Sequence, residues 1–252
     1  MKKLISFFVA GLITLGGQAL AQTVTTNTSD GVTVYGDMHL ENLADTTPLI
    51  HLFHQAGSNG RGEYAPLIGW LNENGFRVIA WDQRSGGDRF GASNRTAANI
   101  GKQADGFCDA YPDIEAALGF GESVAGEAPV FIWGSSYSAA LVFQAAAKNP
   151  DRVRGVLAFS PASGGPLAKC RARNYLADVK AGAFALRPAS EMGRESSVKQ
   201  REVFEAAGVQ FTVIENGVHG SSMLVDERTG HDMSAARDEV IAWLKIMTKK
   251  DM

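Results

Sequence analysis

Residues 129–138 are Pro-Val-Phe-Ile-Trp-Gly-Ser-Ser-Tyr-Ser, and this stretch decides the fold. Its apolar first half predicts a buried strand, and the alanine-rich run after it predicts a helix that ends before Pro150. Between them lies the pattern Gly-x-Ser-x-Ser, in which Gly134 and Ser138 are small enough for a sharp strand-to-helix turn. Such a turn exposes its central serine, so we expect Ser136 to be a nucleophile. The alternative is a serine-rich helix cap without chemistry.

Short apolar runs alternate with helical patterns along the rest of the chain. This alternation predicts one α/β domain over residues 22–252, with a mostly parallel sheet and helices on both faces. Residues 82–106, rich in Gly, Ser, Asn and Arg, predict a long loop. The predicted strands cover residues 23–28, 32–40, 48–53, 77–81, 129–133, 153–159, 183–186 and 209–215, and the predicted helices cover residues 63–74, 109–118, 136–148, 196–207 and 235–249.

A base should follow the last strand of the sheet. A serine hydroxyl is a weak nucleophile that needs a neighbouring base, and on this kind of strand–turn–helix scaffold the order along the chain is serine, acid, histidine. His219 lies in the loop after the strand predicted at residues 209–215 and is the predicted base. His231 is the competing candidate, but it lies farther along, shortly before the closing helix.

An acid that orients the histidine should follow the strand predicted at residues 183–186. Glu191 and Glu195 are the acidic residues there, and no aspartate is available at this point of the chain. Glu191 lies closer to the end of the strand and is the predicted acid. Glu195 also fits the first turn of the next helix, where the macrodipole favours a negative charge, and it remains the second candidate.

Backbone donors for a developing oxyanion are expected at two places. One is the N–H of Tyr137, which directly follows the predicted nucleophile. The other is the N–H of Ala56, in the loop that runs from His54 to Gly60 after an early strand. The alternative for this loop is a glycine turn that only joins a strand to a helix.

Four segments together resemble the α/β-hydrolase superfamily, with dienelactone-hydrolase-like and lysophospholipase- or serine-aminopeptidase-like members as the nearest kinds. The segments are LFHQAGSN at 52–59, WDQRSGG at 81–87, WGSSYS at 133–138 and VHG at 218–220. The resemblance extends over nearly all of residues 30–250. It implies the fold, a catalytic triad of Ser136, Glu191 and His219, and acyl-ester chemistry without a metal or an organic cofactor.

The chain departs from the usual superfamily pattern at three positions. Ser138 replaces a glycine, Gln55 replaces the glycine that commonly follows the histidine of the oxyanion loop, and Glu191 stands where an aspartate is more usual. The stretch between the strands predicted at 153–159 and 183–186 is also short, so we expect little or no lid over the site.

The amino terminus has the features of a secretory signal peptide. Lys2 and Lys3 precede an apolar run, and Ala19 and Ala21 form a small-residue cleavage pattern, which predicts removal of residues 1–21 and an exported protein, periplasmic or secreted. The alternative is an uncleaved membrane anchor. Loss of the two lysines would change the net charge from −3 to −5. Such an acidic surface predicts no nucleic-acid partner. The rest of the chain has no second apolar run of that length, which predicts no stable membrane insertion after cleavage.

Two cysteines, Cys108 and Cys170, lie 62 residues apart. In an oxidising compartment they could form a disulfide, and otherwise they would be two buried thiols; the sequence leaves both possibilities open. Neither cysteine lies in a metal-binding pattern.

The expected reaction is hydrolysis of a carboxylic ester or thioester in a small molecule. Two alternatives remain: a peptidase or amidase of the same fold, which would take a short peptide, and a non-catalytic binding protein on the same scaffold. Arg84, in the predicted loop, could contact an anionic substrate or form a structural ion pair, and the ion pair is the preferred interpretation.

Overall fold

The protein was analysed as a computed structural model, which describes residues 21–40, 43–101 and 106–250. The strands are β1 Gln22–Asn27, β2 Thr33–His39, β3 Leu49–Phe53, β4 Arg77–Asp82, β5 Val130–Ser135, β6 Gly155–Phe159, β7 Gly182–Pro188 and β8 Gln210–Ile214. The helices are α1 Gly60–Glu73, α2 Arg95–Ile100, α3 Tyr111–Ala125, α4 Tyr137–Lys148, α5 Glu195–Ala206, α6 Asp226–Thr229 and α7 Ser234–Lys249. The predicted leader lies outside the described residues, apart from Ala21.

The eight strands form one sheet in the order β1-β2-β4-β3-β5-β6-β7-β8. Strand β2 is antiparallel to β1 and β4, whereas every neighbouring pair from β4 to β8 is parallel. This arrangement confirms the predicted α/β fold. It also brings the carboxyl ends of β3, β5, β6, β7 and β8 to one edge of the sheet, where the predicted site residues follow them.

The central strands are mostly apolar and fully buried, as expected for strands that helices cover on both faces. All five residues of β3 and of β6 are buried. Side chains from α3, α4 and α5 form the core on one face, where Phe143 of α4 contacts Phe204 of α5. Side chains from α1 and α7 form the core on the other face, where Trp243 of α7 packs against Phe131 of β5.

Residues 82–106 contain more regular structure than predicted, since α2 lies within this stretch. Ion pairs between charged side chains hold the start of this helix against β2 and β4. The Arg95 guanidinium pairs with Asp37 and Asp82, and Asn94 caps the helix by accepting a hydrogen bond from the Ala97 N–H.

Helix α3 also differs from the prediction, because a 3₁₀ turn precedes it and the helix continues to Ala125 through two glycines. Gly121 is required by packing: a Cβ there would lie 2.3 Å from Nε2 of the buried His51 in the neighbouring strand. A glycine inside a helix here makes room for a side chain and does not end the helix.

Cys108 and Cys170 form a disulfide with their Cα atoms 5.7 Å apart, which decides between the two possibilities left by the sequence. The bridge joins the turn before α3 to the connection between β6 and β7. That connection is short and contains three 3₁₀ turns, Gly165–Leu167, Ala172–Asn174 and Leu176–Asp178, in agreement with the expectation of little or no lid.

Among the described residues, no helix is both long and apolar enough to cross a bilayer.

Candidate active site

Ser136 occupies a strained turn between β5 and α4. Its backbone has φ 60° and ψ −113°, a conformation that costs free energy for a residue with a Cβ. The turn is held on both sides, because the Ser136 N–H donates to the Phe159 carbonyl at 2.8 Å and the Ser136 carbonyl accepts from the Ala162 N–H at 3.0 Å. The structure thus contains the strand–turn–helix predicted for this serine, with the Ser136 residue half-buried.

Small residues on both sides of Ser136 make this turn possible. A Cβ on Gly134 would lie 2.5 Å from the carbonyl carbon of Ser138, so a larger residue cannot fit without moving the backbone. Ser138 replaces the usual glycine without strain. Its buried Oγ lies 2.6 Å from the His54 carbonyl oxygen and 2.6 Å from Oε1 of Gln83, which ties the turn to two neighbouring loops.

His219 lies beside this turn because the residues after it bond to the residues around Ser136. The Gly220 N–H donates to Oγ of Ser160, and the Ser221 N–H donates to Oγ of Ser135, each at 3.0 Å. Gly220 has φ 70°, and a Cβ there would lie 2.4 Å from Ser135 Oγ, so this close approach requires glycine. The His219 side chain is 46% exposed, which leaves the site open to small molecules.

Glu191 is the acid that contacts the histidine. It ends the 3₁₀ turn Ala189–Glu191 directly after β7, and its Oε1 lies 2.5 Å from Nδ1 of His219. Glu195, the other candidate, begins α5 with an exposed side chain that pairs with Lys199 one turn later. The competing base, His231, is exposed and bonds through its backbone to Thr229.

The second carboxylate oxygen of Glu191 accepts a hydrogen bond from Nη1 of Arg187. Burial alone would raise the pKa of the Glu191 carboxyl. The hydrogen bond and charge of His219, together with the charge of Arg187, outweigh burial and hold the pKa of Glu191 below its usual range. Glu191 is therefore an ionised acceptor at neutral pH.

The loop between β3 and α1 is fixed by a buried carboxylate. The Gln55 N–H donates to Oε2 of Glu63, a fully buried residue of α1, and Gly57 supplies a positive φ of 68° in the turn. Ala56 between them is half-buried, and in the described part of the chain its N–H has no hydrogen-bond acceptor. Tyr137 is the first residue of α4, where helical N–H groups have no partner within the helix.

Arg84 forms a structural ion pair, as preferred from the sequence. Its guanidinium contacts Asp30 at 2.5 Å and the buried Asp113 at 2.7 Å, so it ties the amino-terminal hairpin and α3 to the end of β4. Among the described residues, no group of three or more His, Cys, Asp or Glu side chains is placed to hold a metal ion.

Two residues of the site were missed by sequence reasoning. The first is Arg187. It lies four residues before Glu191, a spacing at which opposite charges pair on a helix, but Arg187 lies in a strand and Glu191 in a turn. The second is Glu63, which follows the loop between β3 and α1 and lies in the first turn of α1, where acidic residues are common. Its burial against the Gln55 N–H could be found only in the folded structure.

The sheet order, the serine turn after β5 and the loops after β7 and β8 together define an α/β-hydrolase fold. Solved structures with the same fold include an esterase from Pyrococcus furiosus, with 15% identity, a TM-score of 0.68, and coverage of 95% of this chain and 96% of that chain. Dienelactone hydrolase from Anabaena variabilis has 16% identity and a TM-score of 0.68, with 91% and 98% covered. A carboxyl esterase from Bacillus coagulans has 12% identity and a TM-score of 0.71, with 91% and 99% covered.

Residues 45–219 match the family described as serine aminopeptidase, S33. This match spans more than half of the chain, and the protein belongs to that family of hydrolases. No curated protein matches the chain by sequence.

Proposed function

We propose that the protein is a serine hydrolase that cleaves a carboxylic ester or thioester in a small molecule through an acyl-enzyme on Ser136. The observation that carries this proposal is the 2.5 Å contact between His219 Nδ1 and Glu191 Oε1, in a loop bonded to the residues around the Ser136 turn. A buried carboxylate on Nδ1 leaves Nε2 of His219 as the atom that can accept a proton from a serine.

In the proposed reaction, Ser136 Oγ attacks the acyl carbonyl while Nε2 of His219 takes the hydroxyl proton. Glu191 stays ionised and stabilises the imidazolium that forms. When the tetrahedral intermediate collapses, its bond to the leaving oxygen or sulfur breaks, and His219 gives its proton to that leaving group. A water molecule then attacks the acyl-enzyme while His219 takes a proton from it. The bond between the acyl carbon and Ser136 Oγ breaks, His219 returns the proton to Oγ, and the acid product leaves.

The N–H groups of Ala56 and Tyr137 are proposed to stabilise the oxyanion of the tetrahedral intermediate. The Ala56 N–H lacks an acceptor in the described chain, and the Glu63 contact to Gln55 holds the backbone next to it. Tyr137 adds a donor at the amino end of α4, where the helix dipole also favours negative charge. Fixed donors of this kind commonly supply the largest electrostatic contribution to such reactions.

Esters are preferred over amides for two reasons. Several solved structures with this fold carry the name esterase, and an ester has a better leaving group than an amide. The second candidate, hydrolysis of an aminoacyl amide or short peptide, is supported by the family description, serine aminopeptidase.

The proposed place of action is outside the cytoplasm. The predicted signal peptide supports export, and the disulfide between Cys108 and Cys170 supports an oxidising compartment, since structural disulfides persist there.

Paired assays of short-chain nitrophenyl esters and aminoacyl nitroanilides, with the wild-type protein and Ser136→Ala, test this proposal. We expect ester turnover that Ser136→Ala abolishes, and slower or no release of nitroaniline. Faster amide cleavage would transfer the assignment to the peptidase alternative. Ester turnover that survives in Ser136→Ala would contradict the assignment of the nucleophile. No turnover of either substrate by folded wild-type protein would favour a binding protein.

A further inference from the structure

Arg187 is a buried cation with partners from three different segments. It lies near the end of β7 and is 5% exposed. Its Nη1 donates to Oε2 of Glu191, while its Nη2 donates at 2.5 Å to both the Pro161 carbonyl and Oε1 of Gln200 in α5. The guanidinium therefore joins the proposed acid to α5 and to the loop after β6.

The loop after β6 is the one that holds the nucleophile turn. Ala162, next to Pro161, donates its N–H to the Ser136 carbonyl at 3.0 Å. One guanidinium thus links Glu191 to a loop that is itself bonded to Ser136. Because the fork of an arginine is planar and rigid, it holds such partners in a fixed relative orientation.

The carboxylate of Glu191 is shared between two cationic partners. Oε1 faces His219, and Oε2 faces Arg187. The arginine keeps the carboxylate charged and fixes its rotamer, so that Oε1 points at Nδ1.

We propose that Arg187 is a positioning residue, which holds the Glu191 carboxylate in the orientation that contacts His219. This proposal rests on the proposed function. Its consequence is that Arg187 should raise kcat and leave KM unchanged.

The other charged side chains near Glu191 and Arg187 are exposed to solvent. Arg194, exposed before α5, adds a second positive charge that opposes Arg187. Glu195 and Lys199 pair with each other on the surface of α5, with side chains 81% and 69% exposed. Solvent screens these groups strongly, so the buried Arg187 is the cation that acts most directly on Glu191.

The kinetics of a neutral ester in wild type and three variants test the proposal. In Arg187→Met we expect kcat to fall roughly tenfold or more while KM stays close to wild type, because Glu191 loses its fixed orientation. Arg187→Lys keeps the charge but lacks the planar fork, so it should restore only part of kcat. Lys199→Met, which removes an exposed cation from α5, is the control and should change neither kcat nor KM.

A merely structural role gives a different result: Arg187→Met would lose thermal stability, yet kcat per folded molecule would stay at the wild-type value. That outcome would overturn the proposal. The NMR signal of the His219 Nδ1–H, which a hydrogen bond to Glu191 protects from exchange with water, needs no turnover and should be lost in folded Arg187→Met. If wild type turned over no ester but this signal was lost in the variant, the proposed reaction would fail and the role of Arg187 would stand. A signal that is the same in both proteins would contradict the role of Arg187 itself.

Discussion

At the level of single residues, two glutamates four positions apart have opposite surroundings. Glu191 is buried between His219 and Arg187, whereas Glu195 is exposed on the first turn of α5. The sequence could narrow the acid to these two, because both follow β7. It favoured Glu191 only because this residue lies closer to the end of the strand, whereas the burial of one glutamate and the exposure of the other depend on how the folded chain leaves β7.

The contrast between these glutamates gives a matched pair of variants. Glu191→Gln removes the charge that stabilises the imidazolium, and we expect kcat on an ester to fall by roughly 10³–10⁴. Glu195→Gln removes the same charge four residues away and should keep kcat within about twofold. Steady-state kinetics, normalised to titrated active sites, measures both. Equal losses in the two variants, or a loss only in Glu195→Gln, would contradict the assignment of the acid.

At the level of elements, the turn between β5 and α4 depends on space for its backbone. Ser136 accepts a positive φ, and Gly134 lies against the backbone of Ser138. The sequence pattern was sufficient to predict this turn because its steric demand falls on neighbours within two residues. By contrast, α2 was missed. Its first residue, Arg95, pairs with Asp82 and Asp37, which lie outside the helix and 13 and 58 residues away in the sequence.

A pair of glycine variants tests the steric demand of the turn. In Gly134→Ala the new Cβ would lie 2.5 Å from backbone atoms, so we expect a loss of unfolding free energy of about 1–3 kcal/mol and loss of ester turnover. Gly119→Ala places a Cβ in open space within helix α3 and should be neutral or stabilise by up to about 1 kcal/mol. Urea denaturation of both variants gives the comparison, and a fully stable, active Gly134→Ala would refute the steric account.

The disulfide is a second feature at this level, because it ties the turn before α3 to the connection between β6 and β7. Closing a loop of 62 residues should contribute up to about 4 kcal/mol to stability on the chain-entropy model. Replacing both Cys108 and Cys170 with serine should lower the unfolding free energy by a comparable amount. Reductant should destabilise the wild type alone. Equal sensitivity to reductant in the wild type and the double variant would argue against the bridge.

At the level of the whole molecule, the fold was predictable because its information is local and repeated. Each buried strand is a short apolar run, and each is followed by a helix or a polar loop. The predicted Ser136, Glu191 and His219 belong to three loops at one edge of the sheet, and the structure places these loops together. Arg187 was not predictable, since its role depends on Pro161 and Gln200, which only the folded chain brings to it.

A buried histidine at the centre of the sheet makes the stability of the whole molecule sensitive to acid. Burial lowers the pKa of His51 to about 3, and its Nδ1 accepts a hydrogen bond from Nε1 of Trp81. The unfolded chain binds a proton at this residue near its ordinary pKa, so stability falls as the pH drops below about 6.5 and continues to fall towards 3.

The variant His51→Asn keeps an acceptor near Trp81 but cannot titrate. Between pH 7 and pH 5 we expect the wild type to lose about 2 kcal/mol more unfolding free energy than His51→Asn. Urea denaturation at the two pH values measures this difference, in which contributions from other titrating groups cancel. Identical losses would show that His51 is not kept neutral by the fold.

The central claim is that His219 activates Ser136, and a fluorophosphonate probe tests it without knowledge of the substrate. The protein without residues 1–21 is treated with the probe, alongside His219→Ala, and the adduct is located by mass spectrometry. We predict a single adduct on Ser136 in the wild type and none in His219→Ala. Folded wild-type protein that stays unlabelled, or an adduct on another serine, would contradict the account.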